Sequence, residues 1–170
     1  MRLRSRILLL STLAGLFVLA WTQRDRFTPV DVGSPAPAFT AMSLHGDTAA
    51  LPGRGGNVIV LNAWATWCTP CLQEMPALER MHRALPGVDV IAVSTDDDPG
   101  QIPQWIEEFG LTFEILHDVR REMENRYLVR GLPTTFVIDR SGRIVHKIQG
   151  AREWDDSAHV AMIRKVMAES

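Results

Sequence analysis

The chain has 170 residues, enough for one globular domain with its own core plus a short appendage, and too few for two domains of ordinary size. Apolar residues make up 46% and charged residues 22%, a soluble globular composition that excludes disorder as the default. Eighteen basic and 20 acidic residues are scattered to a net charge of −2, with no long basic run to track a phosphate backbone, so nucleic acid is not an expected partner.

At the amino terminus, Arg2, Arg4 and Arg6 precede an apolar run from Ile7 to Trp21, the layout of an export signal or membrane anchor. The run is short for a full span, which needs roughly 20 apolar residues, although Thr22 and Gln23 extend it toward the headgroups. Val18-Leu19-Ala20 is a weak match to the small-x-small cleavage rule, and Trp21 suits a membrane interface. An uncleaved anchor over residues 1–23 is the expectation, with a cleaved soluble form as the alternative. Everything after Arg26 then crosses the membrane, because the positive end stays in the cytoplasm.

Residues 24–34 are polar and carry Pro29 and Gly33, as expected of an exposed tether before a domain over 35–170. Ala38 to Met42 and Thr48 to Leu51 flank His45-Gly46-Asp47 as an opening hairpin. Val58 to Ala63 is almost wholly apolar and rich in β-branched residues, the pattern of a central strand covered on both faces. From Cys71, the residues Leu72, Met75, Leu78, Met81, His82 and Leu85 recur at helical spacing until Pro86-Gly87, with Pro76 expected to kink the helix near Gln73 or Glu74.

Val88 to Ser94 reads as a second strand, followed by turn-forming Asp96 to Gly100 and a helix from about Ile102 to Phe109. Phe113 to Leu116 is expected as a strand and Arg120 to Leu128 as a short charged helix. Thr135 to Asp139 and Arg143 to Gln149 then pair across Arg140-Ser141-Gly142, and an amphipathic helix closes the chain from about Asp155 to Met167. Alternating strands and helices followed by an antiparallel pair predict an α/β fold with a mixed sheet and helices on both faces.

Both cysteines of the chain fall in Cys68-Thr69-Pro70-Cys71, which leaves none for a structural staple and marks the pair as reactive. A thiol attacks only as its thiolate, so a reactive cysteine needs surroundings that favour negative charge. At the strand-to-helix junction, Cys68 faces unpaired N–H groups and the positive end of the helix dipole, which lower a thiol pKa from its free value near 8.5. Cys71, three positions on, shares the same face of the first turn and is more shielded. Cys68 is thus the expected attacking thiol and Cys71 the resolving one, with Pro70 stiffening the turn between them. Half a zinc site is the competing reading of a lone CxxC. It needs four ligands, and His45, His82, His117, His146 and His159 show no short spacing that would complete it, so no metal or other cofactor is expected.

Trp64-Ala65-Thr66-Trp67-Cys68-Thr69-Pro70-Cys71, followed by Glu74-Met75-Pro76, resembles the TlpA/ResA-like branch of the thioredoxin superfamily. The likeness extends through Pro35 to Phe39, Val93-Ser94-Thr95-Asp96, and Gly131 to Asp139. It implies a thioredoxin-like sheet with an N-terminal β-hairpin extension and a central βα insertion. It also implies that Pro133 is a cis-proline opposite the cysteines, whose loop pairs with an extended substrate segment; an ordinary strand-entry proline is the alternative. Glu74 matches a glutamate kept beside the active site, where it would tune thiols or relay protons; a solvated helix face is the competing reading. Asn62 stands where ordinary thioredoxins bury an acid, which moves proton transfer onto another group. Trp67 and Trp64 shape the cleft or only pack its rim and core.

The resemblance therefore implies an extracytoplasmic reductase of protein disulfides, with apocytochrome c preparation among the branch's roles, acting as a monomer and recharged by a membrane-bound electron donor. Alternatives remain: a dithiol oxidant, a thiol peroxidase, whose threonine position is filled by Ala65, and a copper metallochaperone of related fold, whose cysteines are separated by three residues instead of two.

Overall fold

The computed structural model describes residues 12–15, 17–18, 30–52 and 56–169. Of the anchor expected over 1–23, only 12–15 and 17–18 are described; they are helical and exposed, and no helix among the described residues is long and apolar enough to cross a membrane. The rest of the anchor, with residues 24–29 of the tether, lies outside the described residues.

Seven strands form one mixed sheet: β1 (Phe39–Ser43), β2 (Thr48–Leu51), β3 (Val58–Trp64), β4 (Val88–Ser94), β5 (Glu114–His117), β6 (Thr134–Ile138) and β7 (Ile144–Gln149). The helices are α1 (Thr69–Ala84), α2 (Ile102–Phe109), α3 (Glu122–Arg126) and α4 (Ser157–Glu169). In the order β2-β1-β5-β4-β3-β6-β7, strands β3, β4 and β5 run parallel, and the remaining pairs are antiparallel.

All seven residues of β3 are buried, because successive side chains feed two different cores. Val58, Val60 and Trp64 join α1, Ile102, Trp154 and Ile163 on one face, and Ile59, Leu61 and Ala63 join Phe39, Met123, Tyr127 and Phe136 on the other. Helix α1 runs through Pro76 as one element, with Met75, Leu78 and Met81 buried at the spacing that the sequence implied. The β1–β2 hairpin adds the sheet's outer edge through β5, and β5 with α3 forms the insertion between α2 and β6.

Two expectations shift. The tether expected over 24–34 gives way to docked chain by Val30, which is buried. Gly33, at φ +90°, turns the backbone so that its N–H bonds to Ile144 O at 2.7 Å, and Ile144 N–H returns to Ser34 O at 3.0 Å. Backbone pairing needs no apolar side chains, so the polar composition hid it. The helix expected over 120–128 shrinks to Glu122–Arg126. The Asp118 carboxylate accepts from the N–H groups of Glu122 and Glu124 and starts it, while left-handed backbone at Arg121 and Leu128 bounds it.

Candidate active site

The C-terminal ends of parallel strands β3, β4 and β5 point the same way, and antiparallel β6 begins at that end. Chain leaving β3 passes through Ala65, Thr66 and Trp67 into α1, whose N-cap is Cys68. Pro70 lies in the first turn, where it has no N–H to waste. Cys71 N–H points at Cys68 Sγ, 3.3 Å away, so the start of the helix aims a backbone donor at the sulfur. Cys68 and Cys71 are joined as a disulfide, with Cα atoms 5.2 Å apart. Cys71 is wholly enclosed and Cys68 is 6% exposed, so the sulfur of residue 68 is the one a partner can reach. Beside it, Trp67 is 70% exposed.

Glu74 sits one turn after Cys71 and is 2% exposed, which removes the reading of a solvated helix face. Its Oε1 accepts from the Asn62 side chain at 2.8 Å, and Oε2 accepts from Arg152 N–H and Trp154 Nε1, both at 3.0 Å. Asn62 spends its other amide proton on Thr135 Oγ1 at 2.9 Å, its register partner on β6. Burial raises the Glu74 pKa above the usual carboxylate range, against the lowering effect of Trp154, the Arg152 amide, Asn62 and the Arg152 charge. The acid missing at position 62 is thus replaced by an amide that contacts an acid on the helix.

The Leu132-Pro133 peptide is cis, as the resemblance implied. Pro133 precedes Thr134, which pairs with Ala63, so its loop flanks the exit of β3 toward the cysteines. Thr134 Oγ1 donates to Gly131 O at 2.6 Å, and Pro133 O accepts from Gly150 N–H at 2.9 Å; both hold the loop to its neighbours.

A clamp behind the cysteine loop comes from Asp96, just past β4. Both carboxylate oxygens accept from Thr66 N–H, at 3.1 and 3.0 Å; Oδ1 also takes the Thr66 hydroxyl at 2.8 Å and Oδ2 the Ser94 hydroxyl at 2.6 Å. The Asp96 carbonyl contacts His117 Nε2 at 2.6 Å, bringing β5 into the same support.

A cysteine at a helix start that keeps a sliver of exposure, its wholly enclosed partner and a buried acid one turn further on define the site. The pattern of the AhpC/TSA family matches residues 32–147, more than half of the chain. The chain belongs to the AhpC/TSA family. Within that family it is similar to the thiol-disulfide oxidoreductase ResA of Oceanobacillus iheyensis, 34% identical over 158 residues that cover 89% of this chain and 82% of the relative. ResA of Geobacillus thermodenitrificans is 37% identical over 131 residues, covering 76% and 75%. Among solved structures, the thiol:disulfide interchange protein DsbE of Chlorobium tepidum aligns with a TM-score of 0.74 at 30% identity, over 81% of this chain and 98% of that one. This AhpC/TSA member is therefore a thiol-disulfide oxidoreductase of the ResA and DsbE type, in the TlpA/ResA-like branch that the motifs indicated.

Trp154 and Asp96 went unassigned in the sequence. Trp154 carried a signal, since a tryptophan in a polar stretch before an amphipathic helix needs a partner for its N–H if it is buried. Asp96 sat in a turn-forming run and closed the matching Val93–Asp96 segment, with no role of its own assigned to it.

Proposed function

We propose that this protein is an extracytoplasmic reductase of protein disulfides, with Cys68 as attacking thiol, Cys71 as resolving thiol and Glu74 as the base that serves Cys71. The observation that carries the reading is the asymmetry of the pair: Cys68 caps the helix and keeps 6% exposure, while Cys71 is wholly enclosed one turn from a buried carboxyl.

An enclosed thiol has no water to take its proton, so a carboxylate on the same helix face supplies the acceptor. In the reduced protein the Cys68 thiolate attacks a client disulfide. The client S–S bond breaks, a Cys68–client bond forms, and one client sulfur leaves as thiolate. Ionised Glu74 then takes the Cys71 proton, the Cys71 thiolate attacks Cys68 Sγ, and the second client sulfur leaves. Two electrons have passed to the client, and the protein holds its own disulfide. A membrane-bound dithiol donor returns two electrons to it.

Trp67 offers its exposed ring to the client, and the Pro133 loop offers backbone to an extended segment of it. The arginines and apolar run over residues 1–23 support a membrane anchor that places the domain outside the cytoplasm, where apocytochrome c would be among the clients.

Trapping tests the reading. Cys71→Ser should accumulate mixed disulfides through Cys68, identifiable by mass spectrometry of the captured partners, while Cys68→Ser should accumulate none. Capture only in Cys68→Ser would reverse the two roles.

A further inference from the structure

Trp154 is fully buried in the segment between β7 and α4, and its indole N–H donates to Glu74 Oε2 at 3.0 Å. The buried Nε1 atoms of Trp64 and Trp105 find no hydrogen-bond partner, so burial alone does not deliver an indole to an acceptor in this protein. Trp154 is held in place on both sides. The His159 ring lies 5.3 Å from the indole, and the adjacent Asp155 carboxylate is 2.6 Å from Arg80 Nε on α1.

We propose that Trp154 is a positioning residue for the exchange reaction, its indole N–H setting the pH at which Glu74 can accept the Cys71 proton. This rests on the reading of Glu74 as the base for Cys71. A buried carboxyl left to itself stays protonated and has no use as a base. Each hydrogen bond donated to the ionised form moves it back toward service near neutral pH. From β3 Glu74 meets only the neutral amide of Asn62, backed on β6 by the neutral Thr135. The segment before α4 adds the Arg152 N–H, the Arg152 charge and the Trp154 indole. On α1 itself, Cys71 is held in the disulfide, and Arg80 is engaged by Asp155. The indole is thus the one side-chain donor that the last third of the chain gives to this carboxylate, among the described residues.

Replacement of Trp154 by Phe removes the donor, and replacement by 3-benzothienylalanine removes it while keeping the ring's shape. In the full-length reduced protein with 13C-carboxyl-labelled glutamate, the Glu74 midpoint should rise by about one pH unit in both, the scale of one hydrogen bond to a charged group. The acid limb of the resolving step, followed as loss of a Cys68 mixed disulfide to a model peptide, should move up with it. An unmoved midpoint in the benzothienyl protein overturns the proposal. Glu74→Gln separates the two layers. Loss of the acid limb in Glu74→Gln, with no shift in either Trp154 replacement, removes only the role of Trp154. An unchanged limb in Glu74→Gln removes the Glu74 reading and this proposal together.

Discussion

Asn62 on β3 and Glu74 on α1 share a hydrogen bond of 2.8 Å in the buried layer between sheet and helix. Both amide protons of Asn62 are used, and its Oδ1 is left without a partner. Asn62→Asp would set a second carboxyl against the first, and two such groups cannot both ionise there without a large penalty. The variant should lose about 3 kcal/mol of stability at neutral pH and recover much of it in acid, where the pair is protonated. Urea unfolding at pH 4.5 and 7.5 reads this; an equal loss at both values would show that charge is not the cause.

For Glu74 itself the sign is fixed by its raised pKa. Between the unfolded value near 4.5 and the higher folded value, the folded protein holds a proton that the unfolded chain has released. Stability therefore falls as pH rises through that window. Glu74→Gln has no proton to lose, so its stability relative to the parent should grow from pH 4 to pH 8. Parallel curves for the two proteins would contradict the burial argument.

Trp67→Ala removes a ring that packs against little, being 70% exposed. Its unfolding free energy should change by less than about 0.5 kcal/mol, as for surface substitutions generally. If the ring meets clients, KM for a protein disulfide should rise about tenfold, equivalent to about 1.4 kcal/mol of lost contact, with little change for a small disulfide. Equal effects on both substrates would place the ring's role in the chemistry instead.

Asp96 gathers three donors, the N–H and hydroxyl of Thr66 in the cysteine loop and the hydroxyl of Ser94 at the end of β4. Asp96→Ala should cost about 3 kcal/mol, since it orphans them together, whereas Thr66→Val, which removes one hydroxyl, should cost about 1 kcal/mol. A double-mutant cycle in guanidinium would register coupling between the two residues. Strict additivity would mean that the clamp carries no shared energy.

The architecture was legible because its elements follow strong local rules. Val58 to Ala63 carried the pattern of a two-sided central strand, and the β-hairpins were marked by Gly46 and Gly142 between short apolar runs. The cysteine pair was readable from chemistry and spacing. What stayed open depended on contacts distant in sequence: Glu74 stood between a place beside the active site and a solvated helix face, and its burial comes from residues of β3 and 152–154 closing over it. The short α3 was hidden for a related reason, because its start is set by an Asp118 side chain reaching forward to amides, not by periodicity.

Residues 33–36 cover the start of β7 and the turn before it, exchanging peptide hydrogen bonds with Ile144 and Gly142. A rim so covered has fewer peptide groups on offer to the rim of another molecule, which works against stacking of sheets into larger aggregates. Shortening the chain past Ala36 would bare the peptide groups at the start of β7 and leave them open to an added strand.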